Sequence, residues 1–252
     1  MREQAKILFM MIATLAIIVG YALLPGKVIF GDFSLRKISL TQLRQTDKER
    51  NKKPIPTHKT KKTRRYHTFL FIGDSMVEGL SRRLGDYAKE NGHQLYTVIW
   101  YSSTTEKWAT TQTIEHFIKE YKPTYVLLCL GSNELFINDL DVREDYIKTI
   151  IKKLNPLPYV WISPATWNGD TGIINLMEKH TDKGCFYDSR GLKLERGADH
   201  YHPTWDAAAQ WLDHVRGFMT SKKAAYPVVL KVPKAHHKAK KTEVLQPDFE
   251  GY

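Results

Sequence analysis

Two kinds of apolar patterning run along this chain. From Ile7 to Leu24 lie 18 residues without a charge, preceded by Arg2 and Lys6 and followed by Pro25-Gly26-Lys27. From residue 67 the rhythm changes to short apolar runs of strand length, each followed by a stretch with helical spacing. Thr68-Phe69-Leu70-Phe71-Ile72 reads as a buried strand, and residues 77–91 as a helix that Gly92 ends. Residues 93–100 predict a second strand and 110–121 a helix with Ile114, Phe117, Ile118 and Tyr121 on one face. A third strand over 124–130, a helix over 143–154, a fourth strand over 159–163, a helix over 172–181 and a short fifth strand over 185–188 follow. A closing helix spans 203–219, with Pro203 at its first position. Strands alternating with helices imply right-handed crossovers and a parallel sheet covered on both faces. The expected fold class is therefore α/β, a three-layer α/β/α sandwich with a five-stranded parallel sheet in residues 66–221. Ligands of such sheets bind at the carboxyl ends of the strands, so the residues just after each strand carry the expected site.

The uncharged stretch at 7–24 is just long enough to cross a bilayer as a helix. No polar face interrupts it, which argues against a buried core helix. A membrane anchor over residues 1–25 is expected, with a cleavable signal peptide as the alternative, since Gly20-Tyr21-Ala22 offers a small-x-small pattern. Either way the domain that follows is expected outside the cytoplasm.

The net charge of +11 raises the question of nucleic-acid binding. Its distribution answers against it. Residues 66–221 hold 16 basic and 20 acidic side chains, whereas 44–65 hold ten and two, and 222–252 seven and three. A nucleic-acid-binding domain carries its basic residues on a folded face. Here the excess lies in segments rich in Pro, Thr and His, so residues 26–65 read as a basic linker and 222–252 as a basic, disordered tail. The two cysteines, Cys129 and Cys185, lack metal-site spacing and sit in apolar runs as buried thiols. No metal and no cofactor is expected.

After the first strand comes Gly73-Asp74-Ser75, and after the third Gly131-Ser132-Asn133-Glu134. Asp199-His200-Tyr201-His202-Pro203 precedes the last helix. A serine at a helix N-terminus either caps that helix or acts as a nucleophile, for which it needs a base. A neutral imidazole can take its proton when a carboxylate fixes the tautomer. Of the histidines, His202 alone has an aspartate three residues before it, so Ser75, His202 and Asp199 are the expected triad. Asn133 can aim an amide N–H into the same crevice as an oxyanion donor. Asp74, Trp100 and Trp167 are expected to contact substrate, and Trp100, Tyr101, Trp108 and Trp167 to form a stacking rim.

These three blocks resemble the SGNH, or GDSL-like, hydrolase family over roughly residues 67–219. The resemblance implies a flavodoxin-like sandwich in which Ser75 is the nucleophile and its backbone N–H an oxyanion donor, with Asn133 as a second donor and Asp199 and His202 as the acid and base. The family places a glycine after the second strand to complete the oxyanion hole. Trp100-Tyr101-Ser102-Ser103 stands there in this chain, and Ser102 fits the glycine position.

The expected function is a serine esterase that removes O-acyl, in the first place O-acetyl, groups from a carbohydrate. Two alternatives stay open. One is an O-acetyltransferase using the same acyl-enzyme, partnered by a membrane-bound O-acyltransferase; the other is a non-catalytic glycan-binding module on the same fold.

Overall fold

The computed structural model describes residues 2–23, 28–30, 33–35 and 66–252. The chain divides into two units, Met1–Pro54 and Ile55–Tyr252. In the first, α1 (Arg2–Leu23) is a helix of 22 residues, and β1 (Val28–Phe30) pairs antiparallel with β2 (Phe33–Leu35). Among the described residues no helix is long and apolar enough to cross a membrane. Side-chain surroundings are described only for residues 5–15 of α1, so the anchor expected over 7–24 lies in part outside the described residues. The basic linker lies outside them as well, apart from β1 and β2.

The second unit is built on β3 (Thr68–Gly73), α2 (Val77–Glu90), β4 (Gln94–Trp100), α3 (Thr105–Thr110), α4 (Thr113–Tyr121) and β5 (Tyr125–Cys129). It continues with α5 (Leu140–Leu154), β6 (Tyr159–Ile162), α6 (Ile173–His180), β7 (Phe186–Tyr187), α7 (Trp205–Met219) and β8 (Lys241–Leu245). Six strands form one parallel sheet in the order β7-β6-β5-β3-β4-β8. Because side chains alternate across a strand, β3 feeds both faces. Phe69 and Phe71 pack with Leu80 and Leu84 of α2 and Trp211 and Val215 of α7. Leu70 and Ile72 pack with Trp108, Ile114 and Phe117 of α3 and α4 and with Ile147 and Ile150 of α5. The inner strands β3, β5 and β6 are buried on both sides, as a parallel sheet covered by helices requires.

The helix expected over 110–121 starts only at Thr113, and a separate short helix, α3, precedes it. Thr111 between them is extended, and its hydroxyl bonds back to the Lys107 carbonyl at 2.7 Å. Threonine hydroxyls compete with the helical hydrogen bonds in the run Thr110-Thr111-Gln112-Thr113. The closing helix starts later than expected: Thr204 caps it by accepting from the Ala207 N–H, leaving Pro203 outside.

Residues 222–252 are the largest correction. They are not a disordered tail, and the sheet has six strands rather than five. Val228 and Leu230 are 3% and 1% exposed, and Arg216 donates to the Leu230 carbonyl. The Lys231 N–H donates to Asn91, and the buried carboxylate of Asp86 accepts from the His237 N–H. Strand β8 then extends the sheet beyond β4, and its ladder continues through the Tyr101 N–H to the Leu245 carbonyl. Phe249 packs on Trp100, and Tyr252 stacks on His116 at 3.6 Å. A strand with Lys241, Thr242 and Glu243 before its two apolar residues suits a solvent-facing edge, where lysine discourages further pairing. That composition resembles a solvated segment when it is read by charge alone.

Candidate active site

The chain runs from β3 outward to β4 on one side, then crosses to β5 on the other. The crevice between the ends of β3 and β5 is therefore the switch point of the sheet. Gly73 ends β3 there at φ 153°, and a Cβ on it would lie 1.7 Å from the Cys129 carbonyl oxygen. Only glycine allows β3 and β5 to approach this closely. The chain then turns sharply through Asp74 and Ser75 into α2, whose start keeps Ser75 at the crevice.

Asp74 has a role other than the substrate contact expected of it. Its carboxylate is fully buried, with Oδ1 accepting from the Met76 N–H at 3.0 Å. Oδ2 accepts from the Gly131 and Ser132 N–H groups at 3.2 and 3.1 Å and from the Ser132 hydroxyl at 2.7 Å. Burial pushes its pKa up, against the pull of these hydrogen bonds. Asp74 is thus a strut that fixes the Ser75 turn to the turn carrying Asn133.

Ser75, His202 and Asp199 are brought together. His202 Nε2 lies 2.7 Å from Ser75 Oγ, and Nδ1 lies 2.5 Å from Asp199 Oδ2. An ionised aspartate only accepts, so Nδ1 carries the ring proton and Nε2 is left to accept from the serine hydroxyl. The second oxygen of Asp199 accepts from the Tyr201 and His202 N–H groups at 2.9 and 3.0 Å. The hydrogen bond from His202, then those from the backbone, hold the Asp199 carboxyl well below the usual carboxylate range. The three-residue spacing lets one tight turn supply every one of these contacts, with His200 in the left-handed region at φ 65°. Ser75 is 8% exposed, while the His202 and Asp199 side chains are 45% and 48% exposed. Ser75 is recessed and its two partners line an open mouth.

Among the described residues the backbone N–H groups of Ser75 and Ser102 make no hydrogen bond. Ser102 sits at φ 55°, in the left-handed region that a glycine occupies without strain. The serine therefore keeps the glycine-like backbone, at a cost of about 1–2 kcal/mol. Asn133 is exposed on a 3₁₀ turn, and one amide hydrogen goes to the Ser103 carbonyl at 2.9 Å. Among the described residues its other amide hydrogen makes no hydrogen bond.

Of the expected rim, Trp100 and Trp108 are fully buried and pack edge to face in the core, so neither contacts substrate. Trp167 is half-buried, packing on Phe136 and on Tyr201, next in the chain to His202, with the Arg196 guanidinium over its ring. Sequence reasoning missed three further residues. Glu134, 1% exposed, accepts from the Thr105 N–H and hydroxyl, each at 2.7 Å. Glu78 and Trp205 line a cleft of about 250 Å³ with Ser75, Tyr101 and His202. Glu78 is three residues after Ser75 on a helix, and Trp205 two after Pro203. Both positions were open to inference from spacing.

Fold and site together define a parallel α/β domain that presents a Ser–His–Asp relay beside free N–H donors at the sheet's switch point. No family model matches the chain, and no curated protein matches it. Among solved structures it is similar to a protein from Arabidopsis thaliana at 16% identity and a TM-score of 0.39, over 58% of this chain and 67% of that one.

Proposed function

We propose that this chain is a serine esterase of the SGNH type, flavodoxin-like in layout, that removes O-acyl groups, in the first place O-acetyl, from a carbohydrate outside the cytoplasm. The observation that carries the reading is the relay from Ser75 Oγ through His202 to Asp199, at 2.7 and 2.5 Å. In the reaction His202 Nε2 takes the hydroxyl proton as Ser75 Oγ bonds to the acyl carbon. The carbonyl oxygen becomes an oxyanion facing the N–H groups of Ser75 and Ser102 and the amide of Asn133. The C–O bond to the sugar then breaks, and His202 returns the proton to the departing alcohol. Water, deprotonated by the same imidazole, releases the acid and restores Ser75. The carbohydrate and the extracytoplasmic location rest on the family resemblance and on the apolar stretch at 7–24.

The test is covalent labelling of the full chain by a fluorophosphonate, combined with acetate release from O-acetylated oligosaccharides. Labelling at Ser75, and loss of both signals in Ser75→Ala, are expected. Absence of labelling in the wild type would sink the esterase reading.

A further inference from the structure

The cleft beside Ser75 has a chemistry of its own. Gly79 lines it, where a Cβ would come within 2.7 Å of the Ala208 Cβ, so α2 and α7 meet there with only the Ala208 methyl between them. One wall is the Tyr101–Glu78 pair: the phenol donates to Glu78 Oε2 at 2.7 Å. Burial, then the carboxylate, pushes the Tyr101 pKa up to about 12, so it stays a donor. Among the described residues Glu78 Oε1 accepts no hydrogen bond. The opposite wall is Trp205, 51% exposed, with the Arg82 guanidinium 3.7 Å from its ring centroid. A half-exposed indole backed on one face by a cation keeps a fixed orientation, which lowers the entropic cost of stacking a ligand on it.

We infer that this cleft is the subsite for a neutral, hydroxyl-bearing ring, with Glu78 accepting from ring hydroxyls and Trp205 stacking on the C–H face. The inference rests on the esterase reading and names the part of the substrate that lies on the α2/α7 side of Ser75. Three ligand classes compete, and the lining decides among them. A long acyl chain would strip water from the Glu78 carboxylate without replacing its hydrogen bonds, at a cost of several kcal/mol. An anionic group would meet Glu78 and Asp199, both carboxylates lining the cleft. A polyol satisfies Glu78 and covers the indole. At about 250 Å³ the cleft is smaller than sites for drug-sized ligands and suits a single ring.

The experiment compares kcat/KM of the full chain for methyl 6-O-acetyl-glucopyranoside and for 4-nitrophenyl acetate, whose alcohol has no ring hydroxyls. Trp205→Ala and Glu78→Gln are each expected to lower the value for the acetyl glycoside about tenfold more than that for the aryl ester, mainly through KM. Trp205→Phe, which keeps a stacking face, is expected to restore most of the loss. An equal fall on both esters, or none on the glycoside, overturns the subsite. If the wild type cleaves the aryl ester through Ser75 but leaves the glycoside intact, the subsite fails while the serine chemistry stands. If it cleaves neither ester and Ser75 resists fluorophosphonate, the esterase reading falls and the subsite with it.

Discussion

Glu134 holds Thr105 twice, its two carboxylate oxygens taking the threonine N–H and hydroxyl at 2.7 Å each. The pair fastens the 3₁₀ turn carrying Asn133 to the start of α3, and so fixes the loop that presents Ser102. Glu134→Gln keeps one acceptor for the Thr105 N–H and can donate to the Thr105 hydroxyl, but it places an amide N–H against the Arg143 guanidinium, 3.5 Å from Glu134 Oε1, where an ion pair stood. The variant should lose about 1–3 kcal/mol of stability and up to about a hundredfold in kcat through a displaced oxyanion donor. The pH dependence has a definite sign. Burial raises the Glu134 pKa above the ordinary 4.5, so the folded state holds the proton more tightly than the unfolded one. That contribution is complete below the unfolded value and is lost as pH rises through the folded value. Urea unfolding from pH 4.5 upward should show the wild type's margin over Glu134→Gln narrowing.

Ser102 at φ 55° makes the opposite prediction, a gain. Replacing it by glycine removes left-handed strain of about 1–2 kcal/mol, offset by roughly 0.5–1 kcal/mol of extra backbone entropy in the unfolded chain. Ser102→Gly should therefore be level with the wild type or more stable by up to about 1.5 kcal/mol. Ser102→Val should be less stable and slower, since a β-branched residue resists this conformation most. Thermal unfolding and ester hydrolysis of the two variants check this. A valine variant as fast and stable as the wild type would show that the loop does not need the left-handed backbone.

Asp199 orients His202 from an exposed position, 48% accessible. Asp199→Asn keeps the shape but lets the amide stabilise the other tautomer, in which Nε2 carries the proton and cannot accept one from Ser75. A fall in kcat on the order of 10⁴ is expected, with KM little changed. The depressed carboxyl contributes stability above its unfolded value of 3.8 that is lost as pH falls through the folded one. The variant should accordingly lose less stability than the wild type on acidification below about that value, as followed by circular dichroism.

The sequence made local features legible and hid those that depend on sheet order. Gly73-Asp74-Ser75 and Asp199-x-x-His202 are short spacings, and the turns they imply are the turns observed. Asp74, beside the serine at a strand end, reads in sequence as a substrate contact. Its strut role needs β5 to lie beside β3, a long-range fact that places Gly131 and Ser132 at its carboxylate. Trp100 shares its face of the sheet with Val98, but in strands buried on both sides periodicity cannot say which face meets the site. Strand β8 was hidden by composition: of its residues only Val244 and Leu245 are apolar, and Val244 is 47% exposed.

That hidden strand makes the domain longer than its apolar rhythm suggests. A fragment ending at residue 221 loses Val228 and Leu230, both buried, each worth about 2 kcal/mol on area alone. It also loses β8, which leaves the β4 edge unpaired, and Phe249, which covers Trp100. Against a typical total stability of roughly 5–15 kcal/mol, these losses bring the fragment to the edge of unfolding. Residues 66–252 should melt cooperatively, whereas 66–221 should be largely unfolded or aggregated at 25 °C, and ester hydrolysis should follow the longer piece alone. Comparable melting of the two fragments would mean that the segment lies on the sheet without supporting it. Phe249→Ala separates packing from length: opening one face of Trp100 while retaining β8 should cost about 2–3 kcal/mol and still leave a folded protein.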